Sequence, residues 1–337
     1  MFQDWKLSEI KQDKPVTVFS CFSCGGGSSM GYKKAGFKVI GNVEIDPKIN
    51  QIYVKNNKPE FNYLEDLREF NKRAELPEEL YRLDILDGSP PCTTFSMAGI
   101  REESWGKKKK FREGQTAQTL DDLFFVFLDT VEKLKPKIVV AENVQGILNG
   151  KARGYVNLIV KRFKTLGYDL QIFSLNSASM GVPQKRVRVF FIANRCGFPK
   201  MQLKFTEELI RFGEIRDAEG DPVGEGQIKA LLERNIRKDR DLLGTAQRIG
   251  MKTESYFSHK VVYDQDICPT VTSAGSFFRG SDKKWFTKDD FRKAQTFPAD
   301  YDFGKTSPEY VCGMSVPPNM MERIAREIWK QWLKPKE

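Results

Sequence analysis

Short apolar runs that end in glycine or proline, each followed by a helical stretch and the next apolar run, most narrow what this chain can become. Val16 to Cys21 reads as a buried strand, closed by Gly25, Gly26 and Gly27. A helix is predicted next, with Ser28 or Ser29 as its cap and Gly36 where a helix C-terminus favours a left-handed residue. Lys38 to Glu44 follows as a second strand, completing a strand-loop-helix-strand unit of the parallel-sheet type. The rhythm then repeats. Leu83 to Asp87 runs into Gly88-Ser89-Pro90-Pro91-Cys92, an amphipathic helix over 119–134 feeds the strand Lys137 to Ala141, 154–166 reads as helix, and Val187 to Ala193 as another strand. This alternation predicts an α/β fold, a doubly wound and mostly parallel sheet whose ligands sit at the carboxyl ends of its strands.

Near Asn194 the rhythm breaks. Residues 196–286 carry mixed charge and scattered glycine without strand-helix alternation, which predicts a smaller domain of irregular or mostly β character. The expected division is an α/β domain over 1–195 completed by 305–337, with 196–304 as the second domain. A stripe at Met321, Ile324, Ile328 and Trp329 predicts a final helix over 318–333 that packs back on the α/β domain. With 25 Phe, 10 Tyr and 5 Trp the chain can bury enough apolar surface to offset chain entropy. Its apolar runs, such as 124–128 and 189–193, are too short to cross a bilayer, and the acidic start Met1-Phe2-Gln3-Asp4 is unlike an export signal, so a cytoplasmic protein without membrane association is expected. Six scattered Cys suit a reducing compartment, and a single His leaves little for a zinc site or a His-relayed nucleophile. No metal is expected, and His259 reads as a surface or packing residue. The net charge of +10 points to a polyanionic partner. It is concentrated: 150–195 carry nine Lys/Arg against Asp169 alone, whereas 200–260 hold twelve basic and eleven acidic side chains.

The loop Phe22-Ser23-Cys24-Gly25-Gly26-Gly27 follows the first strand and opens the first helix, where a cofactor can meet backbone N–H groups. Glu44 ends the second strand 17 residues after Gly27, placed to take the ribose hydroxyls of an adenosine cofactor. A dinucleotide fits poorly, because Met30 stands where a third glycine should admit a pyrophosphate; a nucleoside cofactor such as S-adenosylmethionine makes no such demand. Cys92, fixed by two prolines beyond a strand end, can be presented as a nucleophile or be a small buried residue. Glu142 follows the strand 137–141 and points to the same edge, while the alternation in Gln184-Lys185-Arg186-Val187-Arg188 places Arg186 and Arg188 on one strand face.

The cofactor loop, Pro-Pro-Cys, Glu-Asn-Val, Gln-x-Arg-x-Arg and the late Gly313-Met314-Ser315-Val316-Pro317-Pro318-Asn319 occur in an order and spacing that resemble the DNA cytosine-5 methyltransferases. The resemblance covers the chain outside 196–286. It implies an S-adenosylmethionine-dependent enzyme of the bacterial or phage type that adds Cys92 to a flipped-out cytosine, with Glu142 hydrogen-bonding the ring and Arg186 and Arg188 holding the base. It further implies cofactor contacts at Phe22, Ser23, Cys24, Gly25, Gly27, Glu44, Ile45, Asp66, Leu67, Ser89, Pro90, Leu123, Ser315 and Val316. DNA contacts are expected at Ser96, Arg101, Lys107, Lys108, Lys109, Lys110 and Arg112 of the basic, glycine-punctuated segment 97–118, and at Arg248 of the target-recognition domain. Double-stranded DNA is the expected partner of a monomer, with a cognate restriction endonuclease acting separately; a recognition segment as long as 196–286 favours DNA over RNA. The chain departs from the family's usual residues at Cys24 and Thr296, both usually glycine, at Met314, usually Asn, and at Lys293, usually Arg.

Overall fold

The computed structural model describes residues 2–91, 123–149 and 152–335. The chain divides into two compact units: Ile10–Leu175, Val187–Lys204 and Met321–Glu337 make the larger, and Met1–Glu9, Asn176–Arg186 and Phe205–Met320 the smaller.

The larger unit is built on a seven-stranded sheet. Its strands are β1 (Thr17–Cys21), β2 (Lys38–Glu44), β3 (Phe61–Leu64), β4 (Ile85–Gly88), β5 (Ile138–Val144), β6 (Asp169–Asn176) and β7 (Val187–Asn194), in the order β3-β2-β1-β4-β5-β7-β6. Neighbours from β3 through β5 are parallel and β7 runs antiparallel to β5. The order reverses direction between β1 and β4, and ligands of doubly wound sheets bind in the crevice that such a reversal opens at the strands' carboxyl ends. Sheets covered on both faces need strands apolar on both sides, which is why β4, β5 and β7 are mostly apolar and almost wholly buried.

Helices α1 (Gly27–Lys34), α2 (Pro47–Asn57), α3 (Leu67–Lys72), α4 (Glu78–Tyr81), α5 (Leu123–Leu134) and α6 (Ala152–Thr165) complete this unit. Asp46 starts α2 by accepting the Lys48 and Ile49 N–H groups, with Pro47 in the first turn where its missing N–H costs nothing. Helix α5 contributes Phe124 and Phe127 to a core with Phe19, Phe70, Phe163 and Phe191. Rings meet at 5.6 Å for Phe19 and Phe70 and at 5.1 Å for Phe124 and Phe191. Truncating one such Phe to Ala costs about 3–5 kcal/mol. Gly88 is set by this packing: a Cβ there would stand 2.4 Å from the Phe127 ring.

Two features of the sheet differ from the sequence reading. The fifth strand does not stop at Ala141 but runs through Val144, because β7 pairs alongside with Glu142 opposite Phe190 and Val144 opposite Arg188. The outermost strands β3 and β6 escape the apolar pattern, since each is only half covered and spends alternate positions on solvent.

The smaller unit contains α7 (Gln227–Arg234), α8 (Leu242–Arg248), α9 (Lys288–Ala294), α10 (Pro308–Met314), a parallel pair β8 (His259–Val262) and β9 (Ser276–Arg279), and a two-residue ladder of Gln184–Lys185 with Cys268–Pro269. Of the two characters expected for this region, irregular holds and mostly β does not. Its small core gathers Leu231, Leu232, Leu242, Ala246, Val261 and Phe278. Helix α11 (Pro318–Ile328) leaves this unit and enters the larger one, ending in a π turn over Trp329–Leu333. There Lys34 pairs with Glu322 at 3.1 Å and the Trp332 indole N–H donates to Pro199 O at 2.8 Å, so the last helix packs on the α/β unit as its stripe predicts.

Candidate active site

The loop between β1 and α1 holds three residues at positive φ: Phe22 at 53°, Cys24 at 46° and Gly26 at 82°. Side chains oppose that conformation, so the loop must be tied down. The Cys24 N–H donates to Glu44 Oε2 at 2.9 Å, Gly26 N–H to Ser23 O at 2.9 Å, and the Asn42 amide to Ser23 Oγ at 3.1 Å. Gly26, not Ser28 or Ser29, caps α1, and a Cβ there would lie 2.1 Å from Asn57 Nδ2. Both serines are used inside the first turn instead: Ser29 bonds Tyr53 at 2.8 Å and Ser28 bonds Asp87.

Glu44 closes β2 beside this loop. Its second oxygen accepts the Asp46 N–H at 3.0 Å, and burial raises its pKa against the pull of these backbone bonds. A carboxylate has about four lone-pair directions. The backbone N–H groups of Cys24, Ile45 and Asp46 therefore leave room for about one further donor, which fits a ribose hydroxyl of an adenosine cofactor. Ile45 is half-buried next to it. Asp66 and Leu67 have structural partners: Asp66 caps α3 through the Arg68 N–H at 2.8 Å and pairs with its guanidinium at 3.0 Å, and Leu67 lies in the core, as does Leu123. Cys21 is buried in that core while the Cys24 backbone serves Glu44, and no His/Cys/Asp/Glu cluster among the described residues could hold a metal.

At the end of β4 the Ser89 N–H reaches Cys21 O at 3.4 Å, joining this edge to β1, and Asn143 Nδ2 donates to Pro90 O at 3.2 Å. The segment that leads into Cys92 is thus anchored from β5. Glu142 and Arg188 lie on one face of the β5–β7 pair, two positions apart along the ladder, and close an ion pair of 2.9 Å with side chains 10% and 14% exposed. Burial lowers the Arg188 pKa while Glu142 opposes the shift. Arg186 lies just before β7. The chain changes partner at that residue, pairing Gln184–Lys185 with Cys268–Pro269 before β7 begins at Val187. Its guanidinium donates to Val271 O and Gly313 O, both at 3.1 Å, within the smaller unit. Ser315 is buried there with its hydroxyl on Val311 O at 2.8 Å and its carbonyl on Gln295 at 2.6 Å; Val316 is buried beside it. Arg248 pairs with Asp239 at 2.9 Å. Cys92, Ser96, Arg101, Lys107, Lys108, Lys109, Lys110 and Arg112 lie outside the described residues.

Asp87 is a member of this edge that the sequence reading passes over. It sits in β4 opposite Ser20, accepts the Ser20 hydroxyl at 2.9 Å and the Tyr32 hydroxyl at 3.2 Å, and also bonds Ser28. Burial, with the Glu142 charge adding to it, raises its pKa to about 7. The only signal in the sequence is an acid one position before the strand's end in an otherwise apolar run.

The profile of the C-5 cytosine-specific DNA methylases matches residues 16–330. The chain belongs to this family. A curated relative, the type II methyltransferase M.Sau96I of Staphylococcus aureus, is 34% identical over 59% of this chain and 45% of its own length. M.NgoMIV of Neisseria gonorrhoeae, also a type II methyltransferase, is 28% identical over 90% of this chain and 94% of its own. Against the relatives matched at 33–34% identity the chain spans about half their length. In fold it resembles a Spodoptera frugiperda DNMT2 mutant, with a TM-score of 0.65 at 17% identity over 93% of this chain and 99% of that one. The edge built from Glu44, Glu142 and Arg188 is accordingly the methylase's candidate active site. No helix among its described residues is long and apolar enough to cross a membrane.

Proposed function

We propose that this chain transfers a methyl group from S-adenosylmethionine to carbon 5 of a cytosine flipped out of a specific duplex DNA sequence, through a transient bond between Cys92 and carbon 6. The observation that carries the reading is the buried Glu142–Arg188 pair on the strand pair whose Asn143 anchors the Pro90 carbonyl two residues before Cys92. Carbon 5 of cytosine is a weak nucleophile. A thiolate adding to carbon 6 pushes electron density onto carbon 5, and the carboxyl of Glu142, oriented by Arg188, hydrogen-bonds the ring nitrogen and amine to stabilise that charge. Bound at Glu44 and the Phe22–Gly27 loop, the cofactor supplies the electrophilic methyl group. Loss of the carbon-5 proton then expels the Cys92 thiolate and restores the ring.

Residues 196–304 take the role of the sequence-reading domain. On this reading the enzyme is a cytoplasmic monomer, and the type II names of its relatives favour a separate cognate restriction endonuclease. The test is bisulfite sequencing of a random duplex library treated with cofactor and either the native chain or Cys92→Ser. One short motif protected by the native chain only, with cofactor binding retained in the variant, is the expected result. Label from the cofactor entering transfer RNA and not DNA would sink the reading.

A further inference from the structure

A unit that reads DNA needs cations free to reach it, and most arginines of the smaller unit are not. Arg216 is held by Asp264 and Asp282 at 3.3 and 3.0 Å, Arg237 by Asp266 at 2.6 Å, Arg248 by Asp239 at 2.9 Å, and the wholly buried Arg279 by Asp290 at 2.7 Å. Arg240 stands apart. It is exposed, and its guanidinium has no ion pair or hydrogen bond among the described residues. Arg211 and Arg234 are exposed too, but on extended and helical backbone. Arg240 is the one arginine among the described residues at positive φ, 61°.

Everything around Arg240 is braced. The Asp239 carboxylate takes the Ile236 N–H at 3.1 Å, the Thr245 hydroxyl at 3.0 Å and Arg248 at 2.9 Å. The Asp241 carboxylate caps α8 through the Gly244 N–H and pairs with Lys260, both at 2.9 Å. The Asp241 N–H closes the turn on Asp239 O at 2.7 Å, and the Val261 N–H takes Arg240 O at 3.0 Å. Gly244 permits this, since a Cβ there would fall 2.4 Å from Asp239 O. Backbone strain at a residue with a side chain persists only where its surroundings over-determine it, and it concentrates where function dictates the direction of a side chain. Here the surroundings fix the turn and leave one rigid fork of N–H donors facing solvent.

We propose that Arg240, presented by this braced turn, reads a guanine of the recognised DNA sequence. The inference rests on the duplex-DNA reading above. The planar guanidinium matches guanine O6 and N7 with two parallel hydrogen bonds in the major groove, a fit that lysine cannot reproduce. The full chain, Arg240→Gly and Arg240→Lys are each given a random duplex library and cofactor, and protected cytosines are read by bisulfite sequencing. Glycine adopts φ near 60° without strain, so the Gly variant keeps the turn, which an unfolding midpoint no lower than that of the native chain verifies. In both variants discrimination at one guanine position should fall roughly tenfold or more, with the other positions of the motif still selected. An unchanged motif in a folded Gly variant overturns the proposal. So does a uniform loss across all sequences with a shallower salt dependence, the signature of a phosphate contact. If the native chain protects no DNA and labels transfer RNA, the duplex-DNA reading fails first, and Arg240 as a guanine reader falls with it.

Discussion

Replacing Asp87 by Asn should flatten the pH dependence of stability between about pH 5 and pH 8. In the folded chain burial raises this carboxyl to about 7, whereas in the unfolded chain it titrates near its ordinary value of about 3.9. Below about 3.9 both states hold the proton and its contribution is fully present. As pH rises toward about 7 the unfolded chain gives up its proton while the folded chain keeps it, so stability drains away by up to about 1.4 kcal/mol per unit. Above about 7 both states are ionised and the loss levels off. Integrated from about pH 5 to pH 8, one such group removes on the order of 2–3 kcal/mol. The amide keeps an acceptor for the Ser20 or Tyr32 hydroxyl, so the fold should persist in the variant. Urea unfolding of both proteins at the two pH values isolates this group, because Glu44 and Glu309, which are also raised, are common to both. Equal pH dependence in the two proteins would refute the assignment of a buried, proton-holding Asp87.

Three further outcomes can be measured. Gly88→Ala should cost about 1–3 kcal/mol through the clash with Phe127 and recover part of it when combined with Phe127→Leu; additive losses in the double mutant would show that the two do not meet. Cys24→Gly should raise stability by about 1 kcal/mol by relieving the left-handed backbone while keeping the N–H bond to Glu44, and a lower urea midpoint would contradict this. Arg188→Leu should remove methyl transfer and cost about 3 kcal/mol, since Glu142 is left buried without its partner; a variant as stable as the native chain would show that the pair contributes nothing to the fold.

The parts of the fold legible in the sequence are those where burial is two-sided. Short, mostly apolar runs announce β1, β4, β5 and β7, and the loop after β1 announces a helix. Strands β3 and β6 were not legible, because half-covered outer strands alternate with polar residues over too few positions. The α1 cap was misplaced on serine because a left-handed Gly26 can end the loop with no side-chain acceptor at all. Alternation within Gln184-Lys185-Arg186-Val187-Arg188 cannot reveal that the chain exchanges one ladder for another at its middle. The departures from the family were more informative than they look. Cys24 and Thr296 stand where glycine is usual, and both occur at positive φ, 46° and 59°. The backbone conformation is kept and its cost is offset by tertiary bonds: Cys24 N–H to Glu44 at 2.9 Å, and Thr296 Oγ1 accepting the Asn319 N–H at 3.2 Å while its carbonyl takes the Trp5 indole N–H at 3.0 Å.

The electrostatics of the sheet edge run against those of the whole chain. The protein carries +10 overall, yet Glu44, Asp87 and Glu142 are buried together at the carboxyl ends of β2, β4 and β5, with Arg188 the one cation paired to them among the described residues. Burying three carboxyls is costly unless each is hydrogen-bonded, paired or protonated. Each uses a different remedy: Glu44 takes three backbone N–H groups, Glu142 takes Arg188, and Asp87 takes hydroxyls and retains its proton up to about 7. The division suits the proposed chemistry. Acceptors that stay at this edge favour a ligand with a positive sulfonium centre and free hydroxyls, whereas a net positive exterior draws in a polyanion. On the proposed function, holding the acids inside the sheet edge and leaving the bases outside would separate the field for a cationic cofactor from that for a polyanion.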